Sequence, residues 1–69
     1  MKREYTVNLA LAYAKRFLKK YGRGSESLEG MCNQVKYLYN IREDEIEDFK
    51  SSLIKWNEKQ PISYFIFVG

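Results

Sequence analysis

Leu9-Ala10-Leu11-Ala12-Tyr13-Ala14-Lys15-Arg16-Phe17-Leu18-Lys19-Lys20-Tyr21 is the stretch that decides the fold class. Its apolar residues, Leu9, Ala10, Leu11, Tyr13, Ala14, Phe17, Leu18 and Tyr21, occupy about half of a helical wheel. Ala12, Lys15, Arg16, Lys19 and Lys20 complete the other half. This spacing predicts an amphipathic helix over residues 8–21 that buries one side and turns cations outward. Gly22 is suited to the left-handed position that stops such a helix, and Lys19 and Lys20 in the last turn complement its dipole. Arg23, Gly24 and Ser25 then read as a short connection.

Outward from this helix, Leu28, Met31, Cys32, Val35, Leu38 and Tyr39 form a narrow apolar stripe on a second helix over 27–39, which Ser25 or Ser27 can cap. Gly30 weakens its first turn unless close packing requires a glycine there. Asn40 followed by Glu43 matches a capping box for a third helix over 42–57, whose buried edge is Ile46, Phe49, Leu53 and Trp56. After Gln60 and Pro61 the pattern changes. Ile62 to Val68 is rich in β-branched and aromatic residues and reads as a strand, for which Glu4 to Val7 is the available partner. The alternative is that Tyr5 begins the first helix and the C-terminal segment packs irregularly on the bundle or against a second chain. The expected fold is mainly α, a three-helix bundle-like domain with a short two-stranded sheet formed by the N- and C-terminal segments. Leu11, Phe17, Leu18, Leu28, Val35, Leu38, Ile46, Phe49, Leu53 and Trp56 are the expected core.

The 69 residues suffice for one small domain, 1–69, and 45% of them are hydrophobic, more than a disordered segment carries. Cys32 is the lone cysteine, so no internal disulfide forms, and its place in the apolar stripe argues for a buried thiol. A reducing, cytoplasmic location is the expectation. No stretch approaches the roughly 20 apolar residues that span a bilayer, and no signal peptide is evident.

Catalysis by familiar routes lacks parts. There is no histidine, and therefore no Ser/His/Asp or Cys/His arrangement and no thiolate–imidazole set for zinc. Glu43, Asp44, Glu45, Glu47 and Asp48 supply carboxylates, but most of them fall on the outside of one short helix and miss the ligand order of a calcium loop. No enzyme activity, metal, cofactor or small-molecule substrate is expected. Tyr21-Gly22-Arg23-Gly24-Ser25 is too short for a phosphate-binding loop and lacks its lysine, so it reads as a turn that exposes Arg23.

Charge asymmetry is the remaining functional signal. Residues 1–23 carry seven basic and one acidic side chain, net +6, whereas residues 24–69 carry five basic and eight acidic, net −3. Lys15 and Lys19, like Arg16 and Lys20, stand four residues apart, a repulsive spacing that phosphates would relieve. The expected function is therefore that of a non-catalytic nucleic-acid-binding accessory or regulatory protein. Lys15, Arg16, Lys19, Lys20 and Arg23 grip phosphates of DNA or RNA, with Tyr37 stacking or hydrogen-bonding nearby. The plainer reading is a solvated lysine face whose stems cover Phe17 and Leu18. The second and third helices invite a helix-turn-helix comparison, but the turn lacks glycine and the would-be recognition helix opens on acids that phosphates repel. The alternative function is a protein-interaction module or inhibitor that presents Glu43, Asp44, Glu47 and Asp48 to a basic partner. A homodimer through Ile62, Tyr64, Phe65, Ile66, Phe67 and Val68 is a further expectation; a membrane partner is not.

Overall fold

A computed structural model describes residues 4–65, which form three helices packed on one another: α1 (Glu4–Tyr21), α2 (Leu28–Tyr39) and α3 (Glu43–Glu58). The described residues contain no strand, so the two-stranded sheet expected from the termini is not formed between them. Residues 4–7 instead extend α1 by a turn. In an extended chain Tyr5 and Val7 would share a face. In the helix Val7 joins Ala10, Ala14 and Leu18 on the buried side, at spacings of three and four, while Tyr5 points to solvent. Burial of Val7 decides between the two patterns. At the other end, Gly22 takes φ +91° and its N–H donates to Leu18 O at 2.8 Å, which stops α1 and turns the chain.

The start of α2 is tied to α1 through side chains. Ser27 is the N-cap, its Oγ accepting the Gly30 N–H at 3.0 Å, a bond of the kind that contributes about 1 kcal/mol. Glu26 folds over the same turn: one carboxylate oxygen accepts the Ser27 N–H at 2.9 Å and the other accepts Gln34 Nε2–H at 2.6 Å. Gln34 in turn accepts the Tyr13 hydroxyl at 2.8 Å, closing a chain of bonds from the loop to α1. A Cβ on Gly30 would meet the Glu26 carboxylate, so a side chain there displaces that carboxylate from its bonds to Ser27 and Gln34.

The α2–α3 connection departs from the expected capping register. Asn40 is the C-cap of α2, in the left-handed conformation with φ 52°, and fills the role for which a turn glycine is usual. The N-cap of α3 is Arg42, and it is Glu45, not Glu43, whose Oε1 reaches back to accept the Arg42 N–H at 3.0 Å. Glu43 is free of that duty and pairs with Lys36 at 2.7 Å.

Val7, Ala10, Ala14, Leu18, Met31, Val35, Ile41, Ile46, Phe49, Leu53 and Phe65 form the core, with Cys32 at its edge. Leu11, Phe17, Leu28 and Trp56 are half-buried against it. Leu38 was expected inside and is 52% exposed, because the last turn of α2 buries Val35 and Tyr39 more deeply and the chain then turns Ile41 inward. The segment after α3 lies against the bundle. Asn57 is buried, accepts the Tyr64 N–H at 2.8 Å and donates to Ser63 Oγ at 3.0 Å. Ser63 Oγ–H donates to Phe65 O at 2.9 Å, and Gly24 N–H donates to Tyr64 O at 2.9 Å. Phe65 thus enters the core of its own chain while Ile62 remains 66% exposed. Ile66, Phe67 and Val68, on which the expected homodimer chiefly depends, lie outside the described residues, as do Lys2 and Arg3.

Burial pushes the Cys32 thiol pKa upward, with the ammonium of Lys50 opposing the shift less strongly. A folded-state value above the unfolded one means that the thiol contributes fully below its ordinary range near about 8.5 and loses that contribution as pH rises through the raised value. In urea titrations, the stability advantage over Cys32→Ala is therefore expected to narrow as pH rises above about 8.5. A constant advantage above that pH would contradict the burial effect.

Candidate nucleic-acid interface

The last two turns of α1 carry four cations in two rows on either side of the helix. Lys15 and Lys19 lean toward α3, where each Nζ lies 6.0 Å from the centroid of the Trp56 ring. The negative face of an indole attracts ammonium groups, and this offsets some of the repulsion between lysines one turn apart. Trp56 is itself stacked on Tyr64, with centroids 5.4 Å apart and planes 6° from parallel. The Tyr64 N–H donates to Asn57 Oδ1 and the Tyr64 carbonyl accepts the Gly24 N–H, and these bonds fix the backbone that carries that ring.

Arg16 and Lys20 form the second row. With Tyr13, Phe17 and Tyr21 they line an open cleft of about 380 Å³. Phe17 lies 4.7 Å from Tyr21 and 6.1 Å from Tyr13, and the Lys20 Nζ sits 5.3 Å from the Tyr21 centroid. Tyr13 meets Tyr39 edge-on at 6.1 Å, so α2 backs this row as α3 backs the first. Tyr21 is 60% exposed. Arg23, just past the helix, is exposed and lines a neighbouring cleft of about 310 Å³ with Pro61, Ile62 and Tyr64.

The structure thus places Lys15, Arg16, Lys19, Lys20 and Arg23 at one end of α1, and among the described residues none of the five is in an ion pair. Tyr37 does not join them. It is 88% exposed on α2, and among the described residues no ring contact or hydrogen bond links it to these cations. In its place are rings that sequence reading assigned to the apolar side: Phe17, Tyr21 and Trp56, together with Tyr64. Phe17 and Tyr21, interleaved with Arg16 and Lys20 at four-residue spacing, carried a readable signal. The approach of Trp56 to Lys15 and Lys19 depends on helix packing and carried none.

The acidic residues of α3 differ in exposure. Glu45 is buried at the start of α3, Asp44 is exposed and Asp48 is half-buried. Glu43 and Glu47 line a cleft between α2 and α3 that they share with Lys36 and Lys50, and the Lys36–Glu43 pair neutralises part of it. Cys32 lies at the floor of that cleft as a free, buried thiol. Among the described residues no group of three or more Cys, Asp or Glu side chains is placed to hold a metal ion, and no helix is long and apolar enough to cross a membrane. Comparison with known protein families, curated proteins and solved structures finds no match to this chain.

Proposed function

We propose that the protein is a non-catalytic nucleic-acid-binding protein, of accessory or regulatory type, whose contact surface is the C-terminal end of α1 and the loop that follows it. One observation carries the reading. Lys15, Arg16, Lys19, Lys20 and Arg23 are gathered at one end of the molecule among aromatic rings, without a carboxylate partner among the described residues. Cations so placed are available to phosphate oxygens, and each contact releases condensed counter-ions from the nucleic acid. These contacts position a backbone without reading its sequence, and they suit DNA and RNA alike. Of the acidic residues of α3, Glu43 and Glu47 share their cleft with Lys36 and Lys50, which offsets their charge.

A fluorescence titration against single-stranded and duplex oligonucleotides over a salt series tests it. Four or five phosphate contacts should give a log–log salt slope of roughly −3 to −4. Lys19→Glu/Lys20→Glu should weaken binding about tenfold and flatten the slope by about two. Both side chains are exposed, so the helix is retained apart from a small unfavourable interaction of the new carboxylates with the helix dipole. Absence of binding at about 50 mM salt, or an affinity indifferent to the double reversal, would overturn the proposal.

A further inference from the structure

Building on the nucleic-acid reading above, we infer that the preferred ligand is single-stranded and that Tyr21 is a base-stacking residue. Readers of duplex DNA commonly insert a helix or ribbon whose protruding face carries base-contacting and phosphate-contacting groups along its length. The outward face of α1 does not fit that role. Its first half exposes Tyr5, Asn8, Leu9 and Ala12, of which Asn8 alone is polar, and its cations begin only at Lys15. The charge is instead concentrated at the helix end, where it alternates with rings.

Proteins that take unpaired strands combine a cationic track with aromatic faces on which bases stack. Both parts are present around Tyr21. Its ring is 60% exposed, braced from behind by Phe17 at 4.7 Å, and held in the last turn of a helix, so a stacking base meets a surface that is already ordered. The Lys20 ammonium lies over the Tyr21 ring, 5.3 Å from its centroid, so a stacking base displaces it from the ring toward the phosphates that flank that base, beside Arg16 in the same cleft. In a paired duplex the base faces are covered by their neighbours and cannot reach Tyr21.

Calorimetric titration of the full chain with three probes tests the inference: a mixed-sequence strand of about 16 nucleotides, the duplex made from it, and inorganic polyphosphate, which has charge but no bases. The single strand should bind more tightly than the duplex. Tyr21→Ala and Tyr21→Leu should weaken it about tenfold, Tyr21→Phe should restore it, and polyphosphate should bind all four proteins within about twofold. Tyr21→Leu keeps an apolar side chain against Phe17, so a loss shared with Tyr21→Ala reports the ring and not the fold, which circular dichroism checks directly. Tighter or equal binding of the duplex overturns the inference and leaves nucleic-acid binding standing, as does a single-strand affinity indifferent to Tyr21. An equal loss for polyphosphate overturns it by assigning the effect to charge. No binding of any probe overturns both readings.

Discussion

Phe49→Ala will unfold most of the protein at room temperature. Phe49 is fully buried at the middle of α3, among the largest of the fully buried side chains, and belongs to the cluster that joins all three helices. Removing a buried phenyl ring costs about 3–5 kcal/mol, from lost transfer energy and from the cavity left behind. A core in a chain of this size supplies little more than that, on the order of 3–5 kcal/mol in total. The two quantities are comparable, so the native state should lose its majority. Far-UV circular dichroism and urea titration followed by Trp56 fluorescence provide the measurement. Leu38→Ala is the matched control. Its apolar character and its place in the α2 pattern rank it with the core, but at 52% exposure its truncation should cost well under about 1 kcal/mol. A Phe49→Ala protein that stayed cooperative with a loss below about 1 kcal/mol would mean that the three helices are held by other contacts.

The same pair of residues shows where the sequence is informative. Helical periodicity located all three helices to within a residue or two, except at the start of α1, because the apolar spacing that makes a helix amphipathic is a local property. Four residues are too few for periodicity to act on: Tyr5 and Val7 suit a strand and a first turn equally well, and contact with the rest of the bundle settles the matter. Size alone does not decide burial, for Ala10 and Ala14 are completely buried and Leu38 is not. Side-chain size reports what burial is worth; position relative to neighbouring helices determines whether burial occurs. Capping shows the same limit. Asn40 with Glu43 and Arg42 with Glu45 have the same spacing, and only the left-handed backbone at Asn40 separates the end of one helix from the start of the next.

For the candidate interface, composition was legible and assembly was not. The basic run of α1 is contiguous in sequence and remains together in the structure. Tyr37 faces away from the core on α2, but facing outward does not bring a side chain to another helix. Of the rings that do meet the cations, Tyr21 belongs to α1 itself, whereas Trp56, stacked on Tyr64, lies about forty positions further along the chain from Lys15 and Lys19. Their proximity is a product of α1 packing on α3 and of the C-terminal segment folding back onto the loop after α1.

That fold-back depends on Asn57, and Asn57→Ala is expected to release it. The side chain is 7% exposed and makes two bonds to the segment, accepting from the Tyr64 backbone and donating to Ser63. Truncation leaves the half-buried Tyr64 N–H without its partner, at a cost of about 1–3 kcal/mol, unless the segment lifts away and hydrates. Lifting away would separate Tyr64 from Trp56 and withdraw Phe65 from the core. Either course should lower stability by about 2 kcal/mol. The two courses differ in the environment of Trp56, the only tryptophan. If the segment leaves, its emission moves to longer wavelength and iodide quenches it more readily, since Lys15 and Lys19 draw the anion toward the newly uncovered ring. Ser63→Ala should have a smaller effect, because it spares the Tyr64 bond. The Arg23 cleft loses its Tyr64 wall in the released state, so Asn57→Ala should also weaken nucleic-acid binding without altering any charge. Unchanged Trp56 emission together with a stability loss below about 0.5 kcal/mol would show that burial of Phe65 alone fixes the segment, and that the Asn57 bonds accompany this docking without determining it.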